Sequence, residues 1–180
     1  MKITKEDIVF GYKLKPEVLK CSEQEFIDKV CKISQDLLIV PDWLMIVMEL
    51  ETAGTFDPSI TNSLGYTGLI QFGSDRAREA GTNRAALRRM NACEQLDYVY
   101  KSLLPFVGRM ERLPDVYLAV FFPAAIGKPL GWTLHARNLP AEKVGKWNPL
   151  FDVDKDGVIQ VWEIEKKLRL RIPKKYQWVA

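Results

Sequence analysis

The chain has 180 residues, of which 47% are hydrophobic and 27% are charged, so it can bury one core but is too short for two independent enzymatic domains. Its formal net charge of +3 does not by itself predict a nucleic-acid partner. The apolar runs 37–40 and 43–48 are separated by Pro41 and Asp42 and fall short of the roughly 18 residues that cross a membrane. We therefore expect a soluble, monomeric protein with no membrane span and no nucleic-acid partner.

Helices dominate the predicted elements from the N-terminus onward. Ser22 to Glu25 form a capping-box pattern, and apolar residues follow at helical spacing, which predicts an amphipathic helix over 22–38. The next segment opens at Pro41 and is apolar around its whole circumference until Glu49 and Glu51. This pattern is typical of a helix in the middle of a domain.

A loop rich in glycine, serine, threonine and asparagine follows the central helix as far as Thr67. Beyond it, shorter helices are predicted over 74–80, 84–90, 91–104 and 115–122. No segment shows sustained strand alternation, although the loop 55–72 has room for a small hairpin. The expected fold class is mainly α, a helical bundle around the central buried helix.

The cysteines and the histidine exclude several kinds of site. Cys21, Cys31 and Cys93 are an odd number and lack the close spacing of metal-binding pairs, so we expect buried or free thiols rather than a disulfide framework. His135 is the single histidine and has no partner motif, which disfavours a histidine-based triad and a zinc-dependent amidase.

Glu49 and Glu51 are the only charged residues after Asp42 in the central helix. Burial and the negative end of the helix dipole both disfavour an ionised carboxyl group at this place. A carboxyl group that keeps its proton can protonate a glycosidic oxygen, which is otherwise a poor leaving group. The two glutamates are about 200° apart around a helix, so they cannot face one cleft, and one of them is expected to point to solvent.

Two motifs around this helix end resemble those of the lytic transglycosylase and goose-type lysozyme superfamily. The run 51–58, Glu-Thr-Ala-Gly-Thr-Phe-Asp-Pro, resembles the family's catalytic Glu-Ser or Glu-Thr pair and its Phe-Asn-Pro-like turn. The run 65–71 resembles Gly-Ala-x-Gly-Leu-Met-Gln, with Tyr66 in place of Ala and Ile70 in place of Met. Glu51, not Glu49, falls on the family's catalytic position.

The resemblance implies an α+β lysozyme-like fold and a muramidase that cuts the β-1,4 bond between N-acetylmuramic acid and N-acetylglucosamine in peptidoglycan. In the family, one glutamic acid protonates the glycosidic oxygen and then, as a carboxylate, deprotonates the muramic acid C6 hydroxyl to give a 1,6-anhydro product. Glu51 would take this role. A bound glycan strand would be contacted by Gly65, Tyr66, Gly68, Gln71, Tyr117 and Phe122.

Some features leave alternatives open. The family's third motif, Ala-Tyr-Asn, aligns with Phe122 and Pro123 at its last two positions, so core packing is an equal alternative for Tyr117 and Phe122. A hydrolytic lysozyme needs a second acid, and Asp57 is the nearby candidate, although Asp57-Pro58 is also a turn-initiating dipeptide. The arginines within 76–89 could grip an anionic wall polymer or form a solvated helix face.

Residues 152–163 match the calcium-binding loop of an EF-hand. Aspartates stand at positions 1, 3 and 5, glycine at 6, an apolar residue at 8 and glutamate at 12. Acids this close repel one another without a cation, so we predict a structural Ca²⁺. Its expected ligands are Asp152, Asp154, Asp156, the Val158 carbonyl, Gln160 through a water, and Glu163. Asn148-Pro149 is expected to break the entering helix, and only one such loop is present.

The predicted organisation is a lysozyme-like transglycosylase domain over 1–145 and an EF-hand-like calcium-binding segment over 146–180 packed on it. The expected site of action is the cell wall, in a periplasmic or extracellular setting. Acidic residues follow the first lysines where a signal peptide would be apolar, so we expect delivery by a phage lysis or tail system or a mobile genetic element. A non-catalytic, calcium-dependent wall-binding protein with a degenerate groove is the alternative from another class.

Overall fold

The computed structural model describes residues 11–174 and divides the chain into two compact units, Met1–Gly108 and Arg109–Ala180. The first unit contains helices α1 (Pro16–Leu19), α2 (Glu23–Leu37), α3 (Pro41–Glu51), α4 (Ser74–Glu79), α5 (Arg84–Leu87) and α6 (Ala92–Leu103). The second contains α7 (Leu113–Phe121), α8 (Ala141–Trp147) and α9 (Val161–Arg169). Short 3-10 helices at Leu104–Phe106 and Pro123–Ala125 follow α6 and α7.

The mainly helical class is confirmed over these residues. Within 11–174, β structure is confined to isolated bridges, two of which, Thr61 with Thr67 and Thr67 with Phe72, lie in the loop 55–72 where the sequence left room for a small hairpin. None of the helices in this part of the chain has both the length and the apolar character needed to cross a membrane.

Helix α3 forms the core of the first unit, as its apolar circumference predicts. Residues 44–48 are each at most 1% exposed, and α2 packs on both α3 and α6. Pro41 begins α3, where its missing N–H costs no hydrogen bond. The Ser22 hydroxyl caps α2 by accepting the N–H of Glu25 (3.1 Å). Since each buried apolar side chain contributes about 1.5–3 kcal/mol, hydrophobic burial fixes the position of α3.

Helix bounds differ from the prediction by more than one residue at two places. Helix α5 ends at Leu87 rather than Met90, and residues 88–90 form a turn. Helix α7 begins at Leu113 rather than Asp115, because the buried Asp115 carboxylate lies within the first helical turn. There it accepts the N–H of Arg112 (3.1 Å) and the N–H of Gly127 (2.9 Å). Asp115 therefore caps the start of α7 although it is itself a helical residue.

The boundary between the two compact units lies at 108/109, and the predicted division at 145/146 into a catalytic domain and a calcium-binding segment stays a prediction. Residues 109–145 belong with the acidic loop because α7 packs against α9 and because the segment 130–134 is hydrogen-bonded to the end of the loop. The N–H of Leu134 donates to the Ile159 carbonyl (2.7 Å), and the N–H of Val161 donates to the Trp132 carbonyl (3.1 Å). The acidic loop is therefore an integral part of the second unit.

Candidate functional site

Glu51 is the last residue of α3 and is partly exposed, in contrast to the buried residues 44–48 of the same helix. Thr52, which follows it, is fully buried and fixes the helix end. Its hydroxyl donates to the Met48 carbonyl (2.7 Å) and accepts the N–H of Phe56 (2.9 Å). A hydroxyl suits this position because it can donate and accept at once. The Glu51 backbone is thus held on a rigid support at the edge of the core.

The backbone around both motifs includes left-handed residues other than glycine. Ala53 has a φ of 51°, Phe56 of 54° and Gln71 of 48°. Each such residue costs about 1–2 kcal/mol, so packing must hold it in place. Phe56 is 1% exposed and meets the rings of Tyr12 and Phe26 edge-on, at centroid distances of 5.6 and 6.2 Å. Strained backbone concentrates at functional sites, which makes this part of the first unit a candidate site.

Glu49 and Glu51 lie in different surroundings, as their angular separation predicts. The carboxylates of Glu49 and Asp42 lie near Tyr12, where burial raises the pKa of the phenol above its ordinary value of 10.0 and both carboxylates raise it further. An added Cβ on Gly54 would lie 3.2 Å from Glu49 Oε1, so the Glu49 side chain covers this glycine. Glu49 therefore belongs to the cluster of Tyr12 and Asp42.

Glu51 has a cationic neighbour instead. Burial lowers the pKa of Arg76, and attraction from the Glu79 and Glu51 carboxylates partly offsets that effect. Glu51 is thus within electrostatic reach of a half-buried arginine side chain. The sequence indicated an acid desolvated by apolar neighbours, and the structure adds a cation that favours the ionised carboxylate. The sequence pattern could not reveal this neighbour, which comes from another helix.

Gln95 organises the two motif segments, and the sequence interpretation missed it. Its side chain is fully buried on α6. Its Oε1 accepts the N–H of Leu69 (2.6 Å), and its Nε2 donates to the carbonyls of Pro58 (2.8 Å) and Leu87 (3.1 Å). One amide therefore joins the first motif, the second motif and α5. The sequence feature that could have revealed this role is the position of Gln95 on the apolar face of α6, three residues after Ala92 and four before Val99.

Gly65 and Gly68 are explained by their backbone and by neighbouring side chains. Both have positive φ, 80° and 85°. A Cβ on Gly65 would lie 2.6 Å from Arg84 Nη1, and a Cβ on Gly68 would lie 2.3 Å from Gln95 Oε1. The space beside each glycine is filled by protein atoms, which gives both glycines a role in loop packing, and the approach of a sugar to their backbone stays a prediction.

Tyr66 and Gln71 occupy unlike positions in the second motif. Tyr66 is 43% exposed and remains accessible to a ligand. Gln71 was expected to bind substrate or to hold the loop near Glu51. Its Nε2 donates to the carbonyls of Gly68 (3.2 Å) and Ile60 (3.4 Å), which are both within the loop. These contacts favour the loop-holding role for Gln71.

Asp57 is engaged in a local turn. Its Oδ1 accepts both the N–H of Ser59 (2.8 Å) and the hydroxyl of Ser59 (2.6 Å). This arrangement is an Asx-turn, in which the aspartate shapes its own backbone. It favours the structural role of Asp57 over the positioning of a hydrolytic water.

The arginines within 76–89 are partly committed to contacts inside the first unit. Arg84 Nη1 donates to the Gly65 carbonyl (2.9 Å), Arg88 Nη1 donates to the Thr67 hydroxyl (3.4 Å), and Arg78 pairs with Asp75 (2.9 Å). Two of these residues therefore support the second motif.

Tyr117 and Phe122 lie in the core of the second unit. Tyr117 is 3% exposed and stacks on Phe121 at a centroid distance of 5.5 Å, with Phe151 at 5.6 Å. Phe122 is 9% exposed. Their burial favours the packing alternative over direct contact with a glycan.

The aspartates of the acidic loop converge as the EF-hand pattern predicts. Carboxylate oxygens of Asp152, Asp154 and Asp156 lie within 4.8 Å of one another. The loop is shaped by backbone N–H donors: Gly157 donates to Asp152 Oδ2 (3.1 Å), and Val158 donates to Asp156 Oδ1 (3.0 Å). The other oxygen, Asp152 Oδ1, is buried and has no hydrogen-bond partner. A buried carboxylate oxygen without a donor is costly, and a cation would satisfy it.

The remaining predicted ligands lie at the edge of this cluster. Glu163 is 1% exposed, and its two carboxylate oxygens accept the N–H groups of Val153 (2.5 Å) and Gln160 (2.8 Å). Oε1 also accepts the N–H of Asp154 (3.4 Å), whereas Oε2 accepts one N–H and retains a lone pair that a metal could use. The Gln160 side-chain oxygen accepts the indole N–H of Trp162 (2.7 Å). The donor set fits a hard cation such as Ca²⁺.

Gly145, in the second unit, is another residue that the sequence interpretation missed. It lies in α8, and an added Cβ would be 2.2 Å from the carbonyl oxygen of Gly157. Helix α8 therefore packs directly on the backbone of the acidic loop. The helix ends at Trp147, before Asn148-Pro149, as expected.

No protein-family model matches the chain, and a search of curated proteins finds no match, so the two candidate sites are defined by their own geometry.

Proposed function

We propose that the protein is a peptidoglycan-cleaving muramidase of the lytic transglycosylase type, with Glu51 as general acid and then general base. The observation that carries the proposal is the setting of Glu51: a partly exposed carboxyl group that ends a buried helix and precedes a turn held in strained backbone. The substrate would be the glycan strand of the cell wall, with Tyr66 as an exposed contact.

A mechanism with one carboxyl group suits these residues. Glu51 would protonate the glycosidic oxygen, and the carboxylate that remains would take the proton of the muramic acid C6 hydroxyl as this oxygen closes onto C1. Arg76 would stabilise the carboxylate after the first proton transfer, since the two groups attract each other. Asp57 is held by Ser59, which supports the single-acid mechanism over one with a second catalytic carboxylate.

The proposal is tested by the rate at which purified cell walls are solubilised. Glu51→Gln keeps the shape of the side chain and removes the transferable proton, so the rate should fall at least about 100-fold, the lower end of general acid–base contributions. Glu49→Gln is the matched control, because it makes the same change two residues away in the Tyr12 cluster; it should stay within a few-fold of the original protein.

A Glu51→Gln protein that solubilises walls at the original rate would contradict the assignment. If neither the original protein nor the variant cleaves walls but both bind them, the protein is the non-catalytic wall-binding alternative.

We further propose that Asp152, Asp154, Asp156 and Glu163 hold a structural Ca²⁺, with the Val158 carbonyl and a Gln160-bound water as further ligands. The buried, unpartnered Asp152 Oδ1 supports this proposal. Bound calcium would neutralise the clustered carboxylates and secure the loop against α8 and α9. The proposed site of action is the cell wall, which the protein would reach through a phage or mobile-element system. The surroundings of the wall would supply the calcium.

Calcium binding is tested by thermal unfolding. Calcium at about 100 times its dissociation constant should stabilise the protein by about 2.7 kcal/mol relative to a chelated sample. Asp152→Asn should remove most of this difference, whereas Asp75→Asn, which changes an exposed acid outside the loop, should retain it. An unchanged melting curve in chelator would refute the structural role.

A further inference from the structure

Two cysteines far apart in sequence meet in the first unit. The Sγ atoms of Cys21 and Cys93 are 2.6 Å apart, although the two residues are 72 positions apart in sequence. This separation is shorter than an ordinary contact between two non-bonded sulfur atoms. Both residues are thiols here, Cys21 half-buried and Cys93 3% exposed. The sequence spacing gave no sign of this pair.

The fold brings these sulfurs together through helix packing. Cys21 lies between α1 and the Ser22 cap of α2, and Cys93 lies in the first turn of α6. Helices α2 and α6 pack against each other, and Lys29 of α2 pairs with Asp97 of α6 at 2.8 Å. The two thiols are therefore held face to face by an interface that has its own hydrophobic and ionic contacts.

We propose that Cys21 and Cys93 form an intramolecular disulfide when the protein meets a low-molecular-weight disulfide oxidant such as oxidised glutathione. Cys21, the more exposed thiol, loses its proton and attacks one sulfur of the oxidant, which releases one glutathione thiol and leaves a mixed disulfide. Cys93 then loses its proton and attacks Cys21 Sγ, which releases the second glutathione. The cysteine pair loses two electrons and two protons, and the oxidant gains them.

A metal site is the competing use of the same atoms, because Glu25 also has a carboxylate oxygen within 4.8 Å of both sulfurs. Two thiolates that share one metal need more room between them than 2.6 Å, so the observed separation favours the covalent bond. Burial and the hydrogen bond to Cys21 raise the pKa of the Cys93 thiol, and the short distance between the two sulfurs places Cys93 within reach of Cys21 for the second step.

The disulfide would close a covalent loop of the chain, residues 21–93, that includes the candidate active site. The closed loop contains α2, α3 with Glu51, and both motif segments, but Cys31 remains a separate buried thiol. A covalent link across a loop of this length restricts the unfolded chain, and we expect it to raise the melting temperature of the first unit by about 5–15 °C. The inference does not depend on the proposed enzymatic activity.

Thiol counting on the full-length protein tests the proposal. The folded protein is equilibrated with oxidised glutathione, quenched in acid, unfolded and alkylated, and its mass is measured. One cysteine should be alkylated in the oxidised sample and three after reduction, and a non-reduced digest should contain a peptide pair linked through Cys21 and Cys93. Cys31→Ser should leave that pair intact, whereas Cys21→Ser should abolish it together with the rise in melting temperature.

Three alkylated cysteines after oxidation would overturn the proposal. So would a protein arrested as the glutathione adduct of Cys21, or one whose thiols resist oxidation because they retain zinc after desalting.

Discussion

The Glu51 region of the first unit and the acidic loop of the second are both built around carboxyl groups. The groups that support the acidic loop are mostly close to it in sequence, whereas those that support Glu51 are far from it in sequence. The acidic loop is shaped mainly within 152–163, by N–H groups that donate to its own carboxylates. The Glu51 region depends on Gln95 and Arg76, which lie on other helices. A local site can be recognised from twelve consecutive residues, whereas a site assembled across a fold needs the fold itself.

The largest loss of stability is expected where this long-range support is broken. Gly68→Ala places a methyl group 2.3 Å from Gln95 Oε1 at a φ of 85°. Left-handed strain of about 1–2 kcal/mol and overpacking of about 1–3 kcal/mol should together lower the free energy of unfolding by about 2–5 kcal/mol. Urea denaturation measures this change.

Gly81→Ala is the matched control for Gly68→Ala. Gly81 has the same φ of 85°, but no atom lies within 4 Å of an added Cβ, so only the strain should be observed. Equal losses in the two variants would mean that the contact with Gln95 contributes nothing.

The next largest effect should sharpen the comparison, because it concerns a support of the acidic loop that comes from another helix. Gly145→Ala sets a methyl group 2.2 Å from the Gly157 carbonyl oxygen and should cost about 1–3 kcal/mol, although alanine is the better helix former. Calcium affinity, measured by titration calorimetry, should weaken as the loop shifts. Gly131→Ala is the control, because its added methyl group meets open space and should change neither the stability nor the calcium affinity. An unaltered affinity in Gly145→Ala would show that the loop binds calcium without support from α8.

A smaller effect is expected on the pH dependence of cleavage. Arg76 is electrostatically coupled to Glu51, and its charge favours the carboxylate form of that residue. Arg76→Gln removes the charge, so Glu51 should keep its proton to higher pH and the alkaline limb of kcat/KM should move upward. Arg78→Gln is the control, since Arg78 pairs with Asp75 at the surface. A limb that moves to lower pH in Arg76→Gln would contradict this coupling.

The smallest effect is expected for Tyr12→Phe. The Tyr12 hydroxyl is buried without a hydrogen-bond partner, so its removal should change the stability at neutral pH by less than about 1 kcal/mol. Burial, Asp42 and Glu49 raise the pKa of the folded phenol above 10.0, so the original protein should lose stability as the pH rises above 10 and the unfolded phenol ionises. The variant should lack this alkaline loss, which unfolding curves across that range would measure.

Much of the helical framework could be predicted from local patterns. Apolar spacing and capping residues gave α2, α3 and α6 nearly to the residue, because their signals lie within each segment. The start of α7 was misplaced because Asp115 caps from inside the helix. The hydrogen bonds between 130–134 and the acidic loop were not predicted, because no local pattern records them.

The candidate sites also combine features that local sequence predicted with features that depend on the fold. The clustering of the three aspartates in the acidic loop was predicted, since their spacing is encoded directly in sequence, and calcium binding there stays a proposal. Gln95 and Gly145 were missed because their importance lies in what they touch across the fold. The resemblance identified Glu51 as a candidate acid, but the cation beside it became visible only in three dimensions.

Mass spectrometry of the muropeptides released from purified peptidoglycan tests the central claim most directly. We predict products that end in 1,6-anhydro-N-acetylmuramic acid, each lighter by one water than the corresponding hydrolysis product, and their loss in Glu51→Gln. Muropeptides with ordinary reducing ends, or intact glycan strands after incubation with the original protein, would contradict the account.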